Sequence, residues 1–220
     1  MSIARAHFQR TMATREQRAA GGEAATGPVT NGVASLLRVH QGRLKAIQSR
    51  AAKIEAKRGM LPDFDAYIDG VLAANGGAQD DVVTTVMLWR LDVGDWFGAL
   101  DIAGYGIRHG LEMPERFARD LPTTVVEEIA DSALVLCAAQ DAAADALAEP
   151  LQEALDLTSE SDMPDEVRAK AHKALGLILK DSDAAQAVQH LETALTLDPK
   201  SGVKTELTRL KKALDAPAGS

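Results

Sequence analysis

A single cysteine, Cys137, stands among 220 residues. That excludes an internal disulfide framework and a cysteine-rich zinc site, and it suits a reducing compartment. Aromatic residues are scarce, at 4%, so a core has to be built from Leu, Ile, Val and Ala, which favours packed helices. No apolar run approaches the roughly 18 residues of a membrane span, and no membrane contact is expected. The opening stretch MSIARAHFQR lacks the apolar run of a secretory signal, so a cytoplasmic location is expected. A phosphate-binding loop is also missing: no Gly-Lys-Ser/Thr follows Gly76-Gly77, so ATP hydrolysis is not expected.

What the chain does have is enough apolar material for a core, with 46% hydrophobic and 25% charged residues. Its length fits one domain with an appendage, or two small domains. The net charge of −8 is unevenly spread: residues 1–60 hold 11 Lys and Arg against 3 Asp and Glu, whereas residues 61–220 hold 13 against 29. The first part is therefore +8 and the second −16. Such asymmetry suggests either an anion-binding arm on an acidic body or a solvated basic terminus.

Residues 1–32 read as a flexible basic arm and linker. Arg5, Arg10, Arg15 and Arg18, on a short helix or in a disordered stretch, precede the aperiodic stretch GGEAATGPVTNG. Residues 33–60 read as one basic amphipathic helix. Leu37, His40, Leu44, Ile47, Ala51 and Ile54 recur at spacings of 3, 4, 3, 4 and 3, a heptad seam. Leu37, Leu44, Ile47, Ala51 and Ile54 are the candidate oligomer seam. Arg43, Arg50 and Lys57 recur every seven residues beside it, and Arg38, Lys45, Lys53 and Arg58 add charge. A row of cations can bind successive phosphates and release their condensed counterions. These seven are the candidate DNA-binding residues, with pairing to an acidic neighbouring subunit as the alternative.

Residues 61–215 read as a compact helical domain and 216–220 as a disordered tail. Leu61-Pro62-Asp63 ends one helix and opens another, which Asn75-Gly76-Gly77 stops. Asp80 and Asp81 open the next, apolar nearly all round and so central. Gly94-Asp95 turns into a helix over 96–109. Further helices are expected over 123–139, 150–157, 164–179, 184–197 and 201–214. A loop between them holds Arg116 and Arg119, a basic exception in the acidic part. No segment alternates with period two, so the fold class is all-α. Leu175-Gly176 with Asp183, Ala187, Leu191, Ala194 and Asp198-Pro199 is similar to a tetratricopeptide hairpin, and Gly94-Asp95 with Ala99, Leu100 and Ala103 echoes it.

No residues assemble into a convincing catalytic site. Cys137 lies on an apolar helix face with no His near it in sequence. The five histidines, His7, His40, His109, His172 and His190, show no metal-ligand spacing. Asp80 and Asp81 are adjacent, so on a helix they point about 100° apart and do not converge on one ion. Asp165, Glu166 and Lys170 superficially resemble a nuclease motif but sit at a helix start. No catalytic residue, metal or cofactor is expected.

The strings Lys45-Ala46-Ile47, Met60-Leu61-Pro62, GAQDD (77–81), TVMLWRLD (85–92) and DMPDEVRAK (162–170) together resemble the GpM family of phage terminase small subunits. The resemblance spans roughly residues 35–214. It implies recognition of the packaging start on double-stranded phage DNA in the host cytoplasm. It also implies assembly into a homo-oligomer, usually a ring, and delivery of DNA to a large subunit that carries the ATPase and nuclease. Proteins of this type are sometimes called endonuclease subunits. A helical protein–protein adaptor and an intrinsic metal-dependent nuclease using Asp80, Asp81, Asp165 or Glu166 are the competing readings.

Overall fold

The computed structural model describes residues 2–20, 23–24, 26–115 and 117–215. Gly21 and Gly22 of the expected linker, Arg116, and the expected tail 216–220 lie outside these. The described residues contain helices and turns and no strand, as an all-α chain requires. They fall into two compact units, residues 1–121 and 122–220.

The first unit holds α1 (Ile3–Ala20), α2 (Pro28–Ala46), α3 (Arg50–Met60), α4 (Asp65–Ala74), α5 (Asp81–Val93) and α6 (Trp96–His109). Helix α5 is central: Val82, Val83, Val86, Met87, Trp89 and Leu91 are all buried, matching its apolar circumference. Phe64 joins it edge-on to Trp89, and His40 of α2 meets Phe64 in the same way, at ring separations of 5.8 and 5.7 Å. Asp80 caps α5 by accepting from Val82 N at 2.8 Å, which satisfies an amide that has no partner within the helix. Gly94, at φ +82°, takes the left-handed conformation that closes α5. Arg90 then clamps the turn through Asp95 at 2.8 Å and the start of α4 through Asp65 at 2.9 Å.

Two expectations need correction here. The helix read over 33–60 is two helices. Helix α2 ends at Ala46, and Ser49 starts α3 by accepting from Ala52 N. Serine is a strong N-cap, and the break lets α2 bury Leu37, His40 and Leu44 while α3 lies against α5. The seam consequently does not run along one edge. Leu37 and Leu44 are 5% and 8% exposed inside their own chain, Ile47 and Ile54 are half-buried, and Ala51 is exposed.

The second correction concerns the flexible arm over 1–32, where a short helix is one of two readings for the arginines. Residues 3–20 form a regular helix that runs parallel to α4. A Cβ on Gly70 would lie 2.4 Å from Arg10 O and one on Gly76 2.7 Å from Gln17 O, so the two glycines permit this close approach. Glu16 of α1 reaches the first turn of α2, accepting from Val29 N and Thr30 N at 3.0 and 2.8 Å. A carboxylate there caps the free amides and meets the positive end of the helix dipole. Sequence periodicity could not show this, because α1 has no apolar stripe and is held by small-residue contact and hydrogen bonds.

The second unit contains most of α7 (Leu121–Ala139), then α8 (Ala148–Leu157), α9 (Asp165–Leu179), α10 (Ala184–Leu197) and α11 (Lys204–Asp215). Asp183 caps α10 by accepting from Gln186 N at 3.0 Å. Ala187, Leu191, Ala194, Val203, Leu207 and Leu210 form a buried cluster joining α10 to α11. Helices α9 and α10 are antiparallel and very close at Gly176, where a Cβ would lie 2.5 Å from Leu191 Cδ2. This is the helical hairpin expected around Leu175-Gly176, and it does not by itself identify a tetratricopeptide unit.

Candidate nucleic-acid interface

The corner between α2 and α3 gathers most of the expected cations. Arg43 and Lys45 lie in the last turn of α2, where positive charge complements the negative end of the helix dipole. Arg50 opens α3, and Lys53 follows one turn later. Arg43, Lys45 and Arg50 are exposed and Lys53 is half-exposed. None of the four is ion-paired among the described residues. Arg38 is exposed further back on α2 and donates to Ser35 Oγ at 2.8 Å.

Lys57 and Arg58 have a different role. Lys57 is ion-paired with Asp92 of α5, and its side chain is only 16% exposed. Arg58 pairs with Glu55 and donates to Val93 O at 3.2 Å, capping the carbonyl end of α5. Both therefore fasten α3 to α5. The seven candidates separate into four unpaired cations at the corner, Arg38 on α2, and two fasteners. The heptad spacing grouped Lys57 with Arg43 and Arg50, but the break at Ser49 rotates α3 relative to that register.

Helix α1 adds exposed Arg5, Arg15 and Arg18, with Arg10 paired to Asp69 at 2.7 Å. Arg5 borders a cleft of about 470 Å³ between α1 and α2, lined also by Phe8, Val29, Val33, Leu36 and Asp63.

The carboxylates singled out for possible metal chemistry are placed otherwise. Asp80 is buried as the α5 cap. Burial raises its pKa, against the lowering effect of the hydrogen bond from Tyr67. Asp81 is exposed on the first turn of the same helix. Asp165 and Glu166 are exposed at the start of α9, and Lys170 bridges Glu127 and Asp131 of α7 at 3.0 and 2.9 Å. Burial pulls the Lys170 pKa down, but the two carboxylates outweigh it and the net shift is upward. Among the described residues no three His, Cys, Asp or Glu side chains converge as metal donors. Cys137 is half-buried, and burial pushes its thiol pKa up, the opposite of an activated thiolate.

Two histidines do meet, contrary to the sequence spacing. His172 of α9 and His190 of α10 bring their Nδ1 atoms to 3.0 Å, with ring centres 5.3 Å apart. The nitrogens face nearly head-on, the geometry of one imidazole N–H donating to the other. Burial and the neighbouring imidazole lower the His172 pKa to about 4. Eighteen residues separate the two, and only the antiparallel hairpin brings them together.

Comparison with known proteins matches residues 34–166 to the phage small terminase subunit family. The curated "Terminase, endonuclease subunit" of Escherichia phage P2 is 48% identical over 179 residues, covering 81% of this chain and 71% of the relative. No solved structure matches the chain. Among the described residues no helix is long and apolar enough to cross a membrane.

Proposed function

Because the chain belongs to the phage small terminase subunit family, we propose that it is the DNA-holding, non-catalytic member of a packaging complex. It grips double-stranded phage DNA at the packaging start and passes it to a large ATPase–nuclease subunit. The observation that carries this reading is the set of four unpaired cations, Arg43, Lys45, Arg50 and Lys53, around one helix corner. Phosphates bind guanidinium and ammonium groups that are not already committed to carboxylates. The second unit is acidic, with 9 Lys and Arg against 18 Asp and Glu over residues 122–220. It suits contact with protein better than with DNA, and recruitment of the large subunit falls to it in this reading.

Self-association, with a ring as its expected form, belongs to the same proposal. Leu37 and Leu44 are occupied within the chain, so the contact between copies uses other residues. The test is DNA binding by the full chain with Arg43, Lys45, Arg50 and Lys53 all changed to Ala. Binding at moderate salt should fall at least tenfold while the helical circular dichroism is unchanged. Undiminished binding by a folded variant removes the corner from the interface.

The relative's name favours a second reading, in which this chain cuts DNA itself. Against it stand the capping role of buried Asp80 and the engagement of Lys170 with Glu127 and Asp131. Purified protein with magnesium and linear phage DNA, without a large subunit, is expected to leave the DNA intact. Cleavage that copurifies with the chain and is lost in Asp165→Asn or Glu166→Gln would establish the nuclease instead.

A further inference from the structure

Helix α1 buries few apolar side chains, and beside its small-residue contact with α4 it is tied to its unit by a line of oxygen contacts. Only Ala13 and Gln17 of its residues are buried, and Ile3 and Phe8 face solvent. The line starts at Glu16, whose Oε2 accepts from Thr30 Oγ1 at 2.9 Å. Thr30 Oγ1 lies 3.1 Å from the Tyr67 hydroxyl, which lies 2.6 Å from Asp80 Oδ2. Gln17 Nε2 also donates to that Oδ2, at 3.2 Å. Thr30, Tyr67, Gln17 and Asp80 are all buried. Four helices, α1, α2, α4 and the capped end of α5, therefore meet in one polar line.

The protons along this line can be counted. Three oxygen–oxygen contacts run from Glu16 to Asp80, and only two hydroxyl protons lie between them. Thr30 donates to Glu16, so Tyr67 can donate to Thr30 or to Asp80 but not to both. With both carboxyl groups ionised, one contact has no hydrogen. One more proton, on Asp80 Oδ2, completes the series: Asp80 donates to Tyr67, Tyr67 to Thr30, and Thr30 to Glu16.

We propose that Glu16, Thr30, Tyr67 and Asp80 form a proton-linked latch for α1, with one proton held on the Asp80 carboxyl while the helix is docked. Asp80 is the right place for it. Its Oδ1 already accepts from Val82 N, and burial favours its neutral form. The titratable groups that act on it supply no cation to offset an ionised carboxylate: Tyr67 on α4, Asp81 on α5 and Tyr105 on α6, while Glu16 of α1 ends the line at Thr30. Helix α2 contributes uncharged Thr30, and Lys57 of α3 pairs with Asp92 near the other end of α5. His109 of α6 is engaged by Asn75 at 2.8 Å. The folded-state pKa of Asp80 is raised, so its stabilisation is full below the unfolded value near 3.8 and is lost as pH rises through the folded value. Loss of the proton breaks one hydrogen bond and leaves a buried charge next to α1, loosening a helix that carries Arg5, Arg10, Arg15 and Arg18.

The test is hydrogen exchange of the full chain, followed by mass spectrometry of α1 peptides across pH and corrected for intrinsic exchange rates. Wild type should show α1 protection that falls as pH rises. Asp80→Asn, neutral at every pH, should abolish that dependence. Tyr67→Phe interrupts the line without removing the ring and should lower α1 protection at low pH roughly thirtyfold, the effect of the two hydrogen bonds its hydroxyl makes. Infrared difference spectra should show a protonated carboxyl band in wild type that Asp80→Asn lacks. An unchanged pH dependence in Asp80→Asn, or absence of that band, overturns the latch. If Asp80→Asn fails to fold, Tyr67→Phe decides: protection equal to wild type at low pH overturns it as well.

Discussion

Replacing Lys57 with Ala separates the two groups of cations that the structure distinguishes. The Lys57 ammonium is largely covered, and its partner Asp92 is about one-third exposed. A solvent-exposed ion pair contributes about 0.2–1 kcal/mol. This one lies near the upper end, because truncation also strips the lysine stem from the α3–α5 contact and leaves Asp92 without its cation. The expected cost is about 1 kcal/mol, which for a unit of this size lowers the melting temperature by about 4 °C. Differential scanning calorimetry measures that loss, and fluorescence anisotropy with labelled phage DNA measures binding in parallel. The variant should be less stable yet keep the salt dependence of wild type. Unchanged melting together with a salt slope reduced by about one unit would mean that Lys57 contacts phosphate. The division between fasteners and DNA contacts would then be wrong.

In the second unit, Leu191→Ala removes a fully buried side chain packed over Gly176 and should cost about 2–5 kcal/mol in chemical denaturation. Gly176→Val should also destabilise, by about 1–3 kcal/mol, because its branches have to enter space that Leu191 and Ala187 O occupy. His172 is neutral in the folded state down to about pH 4 but protonates near 6.5 when unfolded. Its contribution is therefore complete above 6.5 and lost as pH falls towards 4. His172→Gln should accordingly weaken the acid sensitivity of unfolding within that window.

The fold was legible where burial left a periodic trace. The apolar circumference of α5, the Asp80 cap and the Gly94 helix end follow from local chemistry, and the structure places each accordingly. The break at Ser49 was hidden because Leu37, Leu44, Ile47 and Ile54 kept a heptad rhythm through it. Rhythm reports which residues are apolar and not whether the backbone continues. The docking of helix α1 was hidden for the opposite reason: its contacts use Ala13, Gln17 and two glycines of another segment, which leave no hydrophobic stripe. The candidate interface was half legible. Charge spacing identified the cations, but only the tertiary placement of Asp92 and Val93 shows that Lys57 and Arg58 are engaged. The His172–His190 pair could not be read from spacing, since the α9–α10 antiparallel register creates it.

The salt dependence of DNA affinity, measured side by side for the full-length chain and its Arg43, Lys45, Arg50 and Lys53 quadruple-alanine variant, tests the central claim most directly. Each phosphate contact adds about 0.9 to the slope of log affinity against log salt. If all four cations meet phosphates, the variant's slope should be shallower by about 3–4 units. Equal slopes for the two folded proteins would contradict the account and place the DNA contact elsewhere on the molecule.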